Sequence, residues 1–140
     1  MSGWLLDTNV LSELVRKRPS PEVVSRVRAS RSADLVTSVV CVMEMRFGAV
    51  RHPTGRALWA RIEKEVLSRV RVLPVGDDEA RRAGELLAEL EARGEKVGTE
   101  DVLIAATALV HGFGVATRNV KHFSRFRGLV VESWWDAPSR

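Results

Sequence analysis

Trp4-Leu5-Leu6-Asp7-Thr8-Asn9-Val10-Leu11-Ser12-Glu13-Leu14-Val15 opens on an apolar run and then changes its period. Trp4, Leu5 and Leu6 read as a short strand that ends at Asp7. Thr8 is then placed to cap a helix whose Val10, Leu11, Leu14 and Val15 share one face. A strand that passes directly into a helix predicts an α/β chain, and the rest of the sequence repeats the alternation.

Pro19-Ser20-Pro21 breaks the first helix, with Ser20 as cap and Pro21 at the first position of a second helix through Val23, Val24 and Val27. Leu35-Val36-Thr37 reads as the second strand, and Ser38 caps a helix that runs to about Val50. After the turn His52-Pro53-Thr54-Gly55, Leu58, Ile62, Val66 and Val70 recur at helical spacing. Val72-Leu73-Pro74-Val75 predicts a third strand. Asp77 or Asp78 caps a helix bearing Ala83, Leu86, Leu87 and Leu90, which Gly94 ends. Residues 95–98 form a loop, and Thr99 caps a helix through Val102, Leu103, Ile104 and Leu109 to Gly112. Gly114-Val115-Ala116-Thr117 and Leu129-Val130-Val131 complete five strands. Alternating strands and helices predict a three-layer α/β/α sandwich with a central, mostly parallel sheet. Ligands of such sheets sit outside the carboxyl ends of the strands.

The 140 residues, 45% of them hydrophobic, fit a single domain over 1–140. No basic leader precedes Leu5, and no apolar run approaches the ~20 residues that span a bilayer, so a soluble cytoplasmic protein is expected. Cys41 is the only cysteine, which rules out an internal disulfide; within Val39-Val40-Cys41-Val42-Met43 it reads as a small buried hydrophobe. His52, His111 and His122 are scattered, which supports neither a zinc protease nor a paired-histidine site. The net charge of +4 favours an anionic partner such as nucleic acid, although an arginine-rich composition can arise from genome bias alone.

The chemistry rests on three acids. Asp7 lies at the carboxyl end of the first strand. Glu44 shares a helix face with Val40 and Phe47, so it interrupts a stripe expected to face the core. Asp101 shares a face with Ile104, Ala105 and Ala108. A buried carboxylate needs a cation or strong donors. Each acid also has an ordinary reading: a polar strand end for Asp7, an ion pair with Arg46 or Arg51 for Glu44, and a helix N-terminal charge for Asp101. Together at one sheet end they would repel one another unless a cation sat between them. An all-oxygen set suits Mg²⁺, with Mn²⁺ able to substitute. Such a site points to phosphate-ester hydrolysis, and the basic balance points to a polyanion.

At these residues the sequence resembles the PIN-domain nucleases, in particular the VapC-type toxins of bacterial toxin–antitoxin pairs. Leu5 to Leu11, Ser38 to Glu44 with Gly48, Asp101 to Ala108, and Val115-Ala116-Thr117-Arg118-Asn119 look like the family's four motifs in order. The resemblance implies an Mg²⁺- or Mn²⁺-dependent endoribonuclease, a homodimer, and a cognate antitoxin that blocks the site. It implies Asp7, Glu44 and Asp101 as metal ligands, with Thr8, Asn9 and Thr117 as supporting polar residues. Asn119 stands where many members carry aspartate, which leaves a second metal site in question. Arg118, Lys121 and Arg125, with Arg127, lie among Phe123 and Phe126. That segment reads either as an RNA track that pairs phosphate and stacks bases, or as a solvated loop with two core aromatics.

Three rivals are set against this reading. A phospho-receiver module would use Asp77 as acceptor, but it needs a lysine after the fifth strand, where Glu132-Ser133-Trp134 follows. A phosphatase that phosphorylates Asp7 would usually carry a second aspartate at position 9, which is Asn9. A catalytically inactive α/β binding module would have no need of all three acids.

Overall fold

The computed structural model describes residues 3–135. These form a five-stranded, all-parallel sheet in the order β3-β2-β1-β4-β5. The strands are β1 (Trp4–Leu6), β2 (Leu35–Ser38), β3 (Arg71–Leu73), β4 (Gly114–Ala116) and β5 (Val131–Glu132). The helices are α1 (Thr8–Glu13), α2 (Pro21–Ala29), α3 (Val39–Arg51), α4 (Gly55–Glu65), α5 (Asp77–Ala92), α6 (Thr99–His111) and α7 (Val120–Phe123). The chain steps outward from β1 to β2 to β3, then crosses back to β4 on the other side of β1. Right-handed crossovers in opposite directions lay helices on both faces. The architecture is the expected three-layer α/β/α sandwich.

The central strands are dry: Leu5, Leu6, Val36, Val115 and Ala116 are fully buried. Residues buried on both faces of a strand are what a sheet covered on two sides requires. Trp134 closes the β5 side, edge-on to Trp4 at 6.0 Å between ring centroids. Pro74 falls just outside β3, where an edge strand tolerates the missing N–H. Gly112 ends α6 in the left-handed region at φ 75°, a conformation that costs glycine little.

Several local expectations are corrected. Asp7, not Thr8, caps α1, because its carboxylate accepts the Thr8 N–H. Helix α1 ends at Glu13, short of Leu14 and Val15. Gly76, not Asp77 or Asp78, is the N-cap of α5, and Gly98, not Thr99, is that of α6. At α5 the Glu79 carboxylate reaches back to the Gly76 N–H at 2.6 Å, so the cap is supplied from inside the helix. Strand β5 begins at Val131 because Gly128, at φ 83°, and the Leu129 N–H to Phe126 carbonyl bond hold the preceding residues in a turn. Leu87 faces solvent. Phe47 does too, at 61% exposure, so Val40, Glu44 and Phe47 are not a core stripe; Cys41, Met45 and Ala49 are the core face of α3.

Candidate active site

Strand order reverses between β1 and β4, the place where open α/β sheets bind ligands. Asp7 leaves the end of β1 and Thr117 the end of β4, with the Asp7 N–H bonded to the Ala116 carbonyl at 3.0 Å. The Thr117 hydroxyl donates to Asp7 Oδ2 at 2.7 Å, and the Thr8 N–H donates to Asp7 Oδ1 at 2.8 Å. Asn9 Nδ2 lies 3.3 Å from both Asp7 Oδ2 and Thr117 Oγ1, while Asn9 Oδ1 accepts the Arg118 N–H. Thr8, Asn9 and Thr117 therefore surround Asp7 as supporting groups. Burial pushes the Asp7 carboxyl above its ordinary value despite the Thr117 and Thr8 bonds; the Asp101 charge raises it further and His122 opposes.

Glu44 projects from the second turn of α3 and accepts the Thr8 hydroxyl at 2.6 Å on Oε1. Its carboxyl is also raised, first by burial and then by the charges of Asp7, Asp101 and Glu100. The arginines that might have paired with it are engaged elsewhere: Arg46 lies over Trp59 at 4.9 Å and Arg51 over Phe47 at 5.1 Å. Glu44 thus reaches Asp7 from the flank of α3, although the face expected to carry it is not the core face.

Asp101 sits in the first turn of α6, on the side of the buried Ile104, Ala105 and Ala108. Its Oδ2 lies 2.6 Å from His122 Nε2. Asp101 is near enough for its charge to act on both Asp7 and Glu44, but it stands outside the tight group that Asp7, Glu44 and Cys41 form. Asn119 is the exposed first residue of the turn into α7, and its N–H donates to Thr117 Oγ1 at 3.0 Å. It borders a depression of about 440 Å³ lined also by Arg118, Val120, Lys121, His122 and Arg125.

Two features were missed in the sequence. Cys41 is fully buried, but its sulfur and one oxygen each of Asp7 and Glu44 lie within 4.8 Å of one another. Its position one turn before Glu44 on α3 was the available signal. Burial and the Asp7 charge push the thiol up to about 11, so it stays protonated near neutrality. It forms a wall of the site. The second is His122, partner of Asp101, which lay in a segment read without a helix. Phe123 and Phe126 are buried, so the stacking half of the RNA-track reading fails and the core-aromatic half holds.

The donor set fits a hard divalent cation. Two carboxylates, both raised by burial and by neighbouring acids, lie beside each other with the third acid near, and a cation relieves both costs. The topology also sets aside the phospho-receiver alternative. That module has β3 inside the sheet in the order 2-1-3-4-5, whereas β3 here is an edge strand, and Asp77 beyond it pairs with Arg81 at 2.8 Å.

Comparison with known proteins agrees with this fold. The PIN-domain family profile matches residues 4–129. The chain is 37% identical over 135 residues to VapC ribonuclease Y4jK of Sinorhizobium fredii, covering 93% of this chain and 96% of that protein. It is 30% identical over 134 residues to the tRNA(fMet)-specific endonuclease VapC of Salmonella typhimurium, covering 96% and 99%. Among solved structures, the DNA-bound VapBC of Salmonella typhimurium superposes with a TM-score of 0.88 at 30% identity, over 96% of this chain and 99% of that one. The chain belongs to the PIN-domain family, among the VapC-type ribonuclease toxins.

Proposed function

We propose that this protein is a divalent-metal-dependent endoribonuclease and the toxin of a toxin–antitoxin pair. The observation that carries the reading is the juxtaposition of Asp7 and Glu44 at the β1–β4 switch point, with Asp101 near enough for its charge to act on both. Both carboxyls there are raised first by burial, Asp7 further by Asp101 and Glu44 further by Asp7, Asp101 and Glu100. These three residues would hold Mg²⁺, or Mn²⁺ in its place. The bound cation supplies a Lewis acid that activates water and neutralises charge developing on the phosphodiester.

The remaining work falls to the chain's own groups. Thr117, Thr8 and Asn9 fix both oxygens of Asp7, and the Thr8 hydroxyl fixes Glu44, so the acids are oriented before substrate arrives. Asn119 brings an uncharged amide to the rim. Arg118 and Lys121, exposed beside the depression, meet the RNA backbone. Arg125 is the weaker RNA candidate, since its guanidinium already serves the Lys96 and His122 carbonyls. Water attacks phosphorus, the bond to the 3′-oxygen breaks, and the products carry 5′-phosphate and 3′-hydroxyl ends.

The cognate antitoxin follows from relatives whose solved structures are toxin–antitoxin complexes, such as VapBC and FitAcB of Neisseria gonorrhoeae. A homodimer is supported by the solvent-facing row Val39, Met43, Phe47 and Val50 along α3. No described helix is long and apolar enough to cross a membrane, and the cytoplasm, where RNA is available, is the proposed location. The test is to express the wild type and Asp7→Asn separately and map RNA ends, with tRNA as the first substrate tried. Growth arrest and new 5′-phosphate ends are expected with the wild type alone. Ends with 2′,3′-cyclic phosphate, or equal harmlessness of both proteins, would overturn the reading.

A further inference from the structure

We propose that His122 is a positioning residue for Asp101, held in place by Arg125. The proposal rests on the reading of Asp101 as a metal ligand. Asp101 sits in the first turn of α6 with its side chain one-third exposed, and among the described residues its one close polar side-chain contact is His122 Nε2, at an ion-pair distance of 2.6 Å from Oδ2. An ionised carboxylate can only accept, so a nitrogen this close serves it when Nε2 carries a proton. The other oxygen, Oδ1, has no protein partner among the described residues.

The imidazole is itself clamped. Arg125 Nη2 lies 2.9 Å from Nδ1 and 3.3 Å from Nε2 of His122. A nitrogen that close to both ring nitrogens must sit over the ring face, because an in-plane position would overlap the carbon between them. The Arg125 guanidinium is fixed in turn by the His122 carbonyl at 3.0 Å and the Lys96 carbonyl at 2.9 Å. Arg93, just past α5, holds the Arg125 carbonyl at 2.8 Å. Phe123, fully buried, meets the His122 ring edge-on at 5.8 Å. A connected set of contacts thus runs from the end of α5 through Arg125 to His122 and ends on Asp101. It locks a side chain that its own helix leaves free, and it leaves one carboxylate oxygen for the cation. His122 acts through Asp101 and not on the substrate.

The test is Mn²⁺ binding by calorimetry without RNA, for wild type, His122→Leu and His122→Gln, with melting curves as a check on folding. Glutamine can place an amide N–H near the position of Nε2; leucine cannot. His122→Leu should weaken Mn²⁺ binding by about 10- to 100-fold, the usual cost of losing a hydrogen bond that orients a ligand. It should raise the Mn²⁺ needed for half-maximal RNA cleavage to match, with most of kcat recovered at saturating metal. His122→Gln should restore most of the affinity. Arg125→Met, which keeps the histidine but frees its ring, should weaken binding in the same direction by less, and it carries the test if His122→Leu does not fold. Unchanged or tighter binding in His122→Leu, or no recovery in His122→Gln, would overturn the proposal. A wild type that binds no Mn²⁺ would overturn the metal reading itself.

Discussion

Asp7 and Glu13 lie six residues apart, both 5% exposed, and they sit in opposite electrostatic surroundings. Glu13 accepts the Ser20 N–H at 2.8 Å and Arg16 at 3.2 Å. Burial pulls its carboxyl upward, but those donors and the arginine charge outweigh burial and hold it below its ordinary value. Glu79, at the start of α5, is likewise lowered by the Gly76 N–H and by His111. Asp7 also has good donors, yet its carboxyl is raised, because the cost of burial outweighs them and the Asp101 charge adds to it against His122. Equal exposure therefore does not give two acids the same balance. At Glu13 the Ser20 N–H and the adjacent Arg16 outweigh burial, whereas at Asp7 burial outweighs the donors and a neighbouring acid adds to it, which leaves Asp7 the better placed to take a counter-charge from outside.

The largest effect expected from this contrast is on activity. Asp7→Asn should lower RNA cleavage by more than the ~100-fold that loss of a supporting hydrogen bond costs, while Glu13→Gln leaves it near wild type. The amide oxygen can still accept the Thr8 N–H and keep the α1 cap. Comparable losses in both variants, measured at saturating Mg²⁺, would erase the distinction.

Stability should move in the opposite sense. An acid raised in the folded state binds more protons there than in the unfolded chain. Its contribution to stability therefore falls as pH rises from about 3.8 through the raised value. Metal-free Asp7→Asn should accordingly melt above wild type at neutral pH, with the gap closing in acid. Glu13 has the reverse sign: its contribution is present above 4.5 and is lost as pH falls through the lowered value. Glu13→Ala orphans the Ser20 N–H and should cost about 1 kcal/mol, read from denaturant unfolding at neutral pH.

The layers and the parallel sheet were open to sequence reasoning because apolar strands and amphipathic helices alternate without interruption, whereas the strand order came only from the structure. Asp7 and Asp101 were legible from position, one at a strand end and one on a helix face continued by Ile104, Ala105 and Ala108. Glu44 was found by a face containing Phe47 that turned out to be exposed; a rotation of α3 by about one residue step separates the two readings. Cys41 and His122 were not legible, since their importance lies in contacts with Asp7 and Asp101 across long stretches of chain. The caps were displaced by one residue at α1, α5 and α6. At α1 the capping residue is the site acid itself, and at the other two it is a glycine with no side chain to advertise the role.

The smallest effect expected is at the rim. Asn119 is exposed, so a carboxylate there is well solvated and screened. Asn119→Asp should tighten Mg²⁺ binding and lower the Mg²⁺ needed for half-maximal cleavage by a few-fold, with a slight drop in metal-free melting temperature. Unchanged affinity in a calorimetric titration would place residue 119 outside the metal site.

The account is tested most directly by melting wild type and Asp7→Asn across a Mg²⁺ or Mn²⁺ titration with no RNA present. A ligand bound only by the folded state adds about 2.7 kcal/mol at a concentration one hundred times its Kd. The wild type should start lower and climb steadily with metal, whereas Asp7→Asn should start higher and stay nearly flat, so that the curves converge or cross. Parallel curves, or a wild type indifferent to metal, would contradict the claim that these acids await a cation.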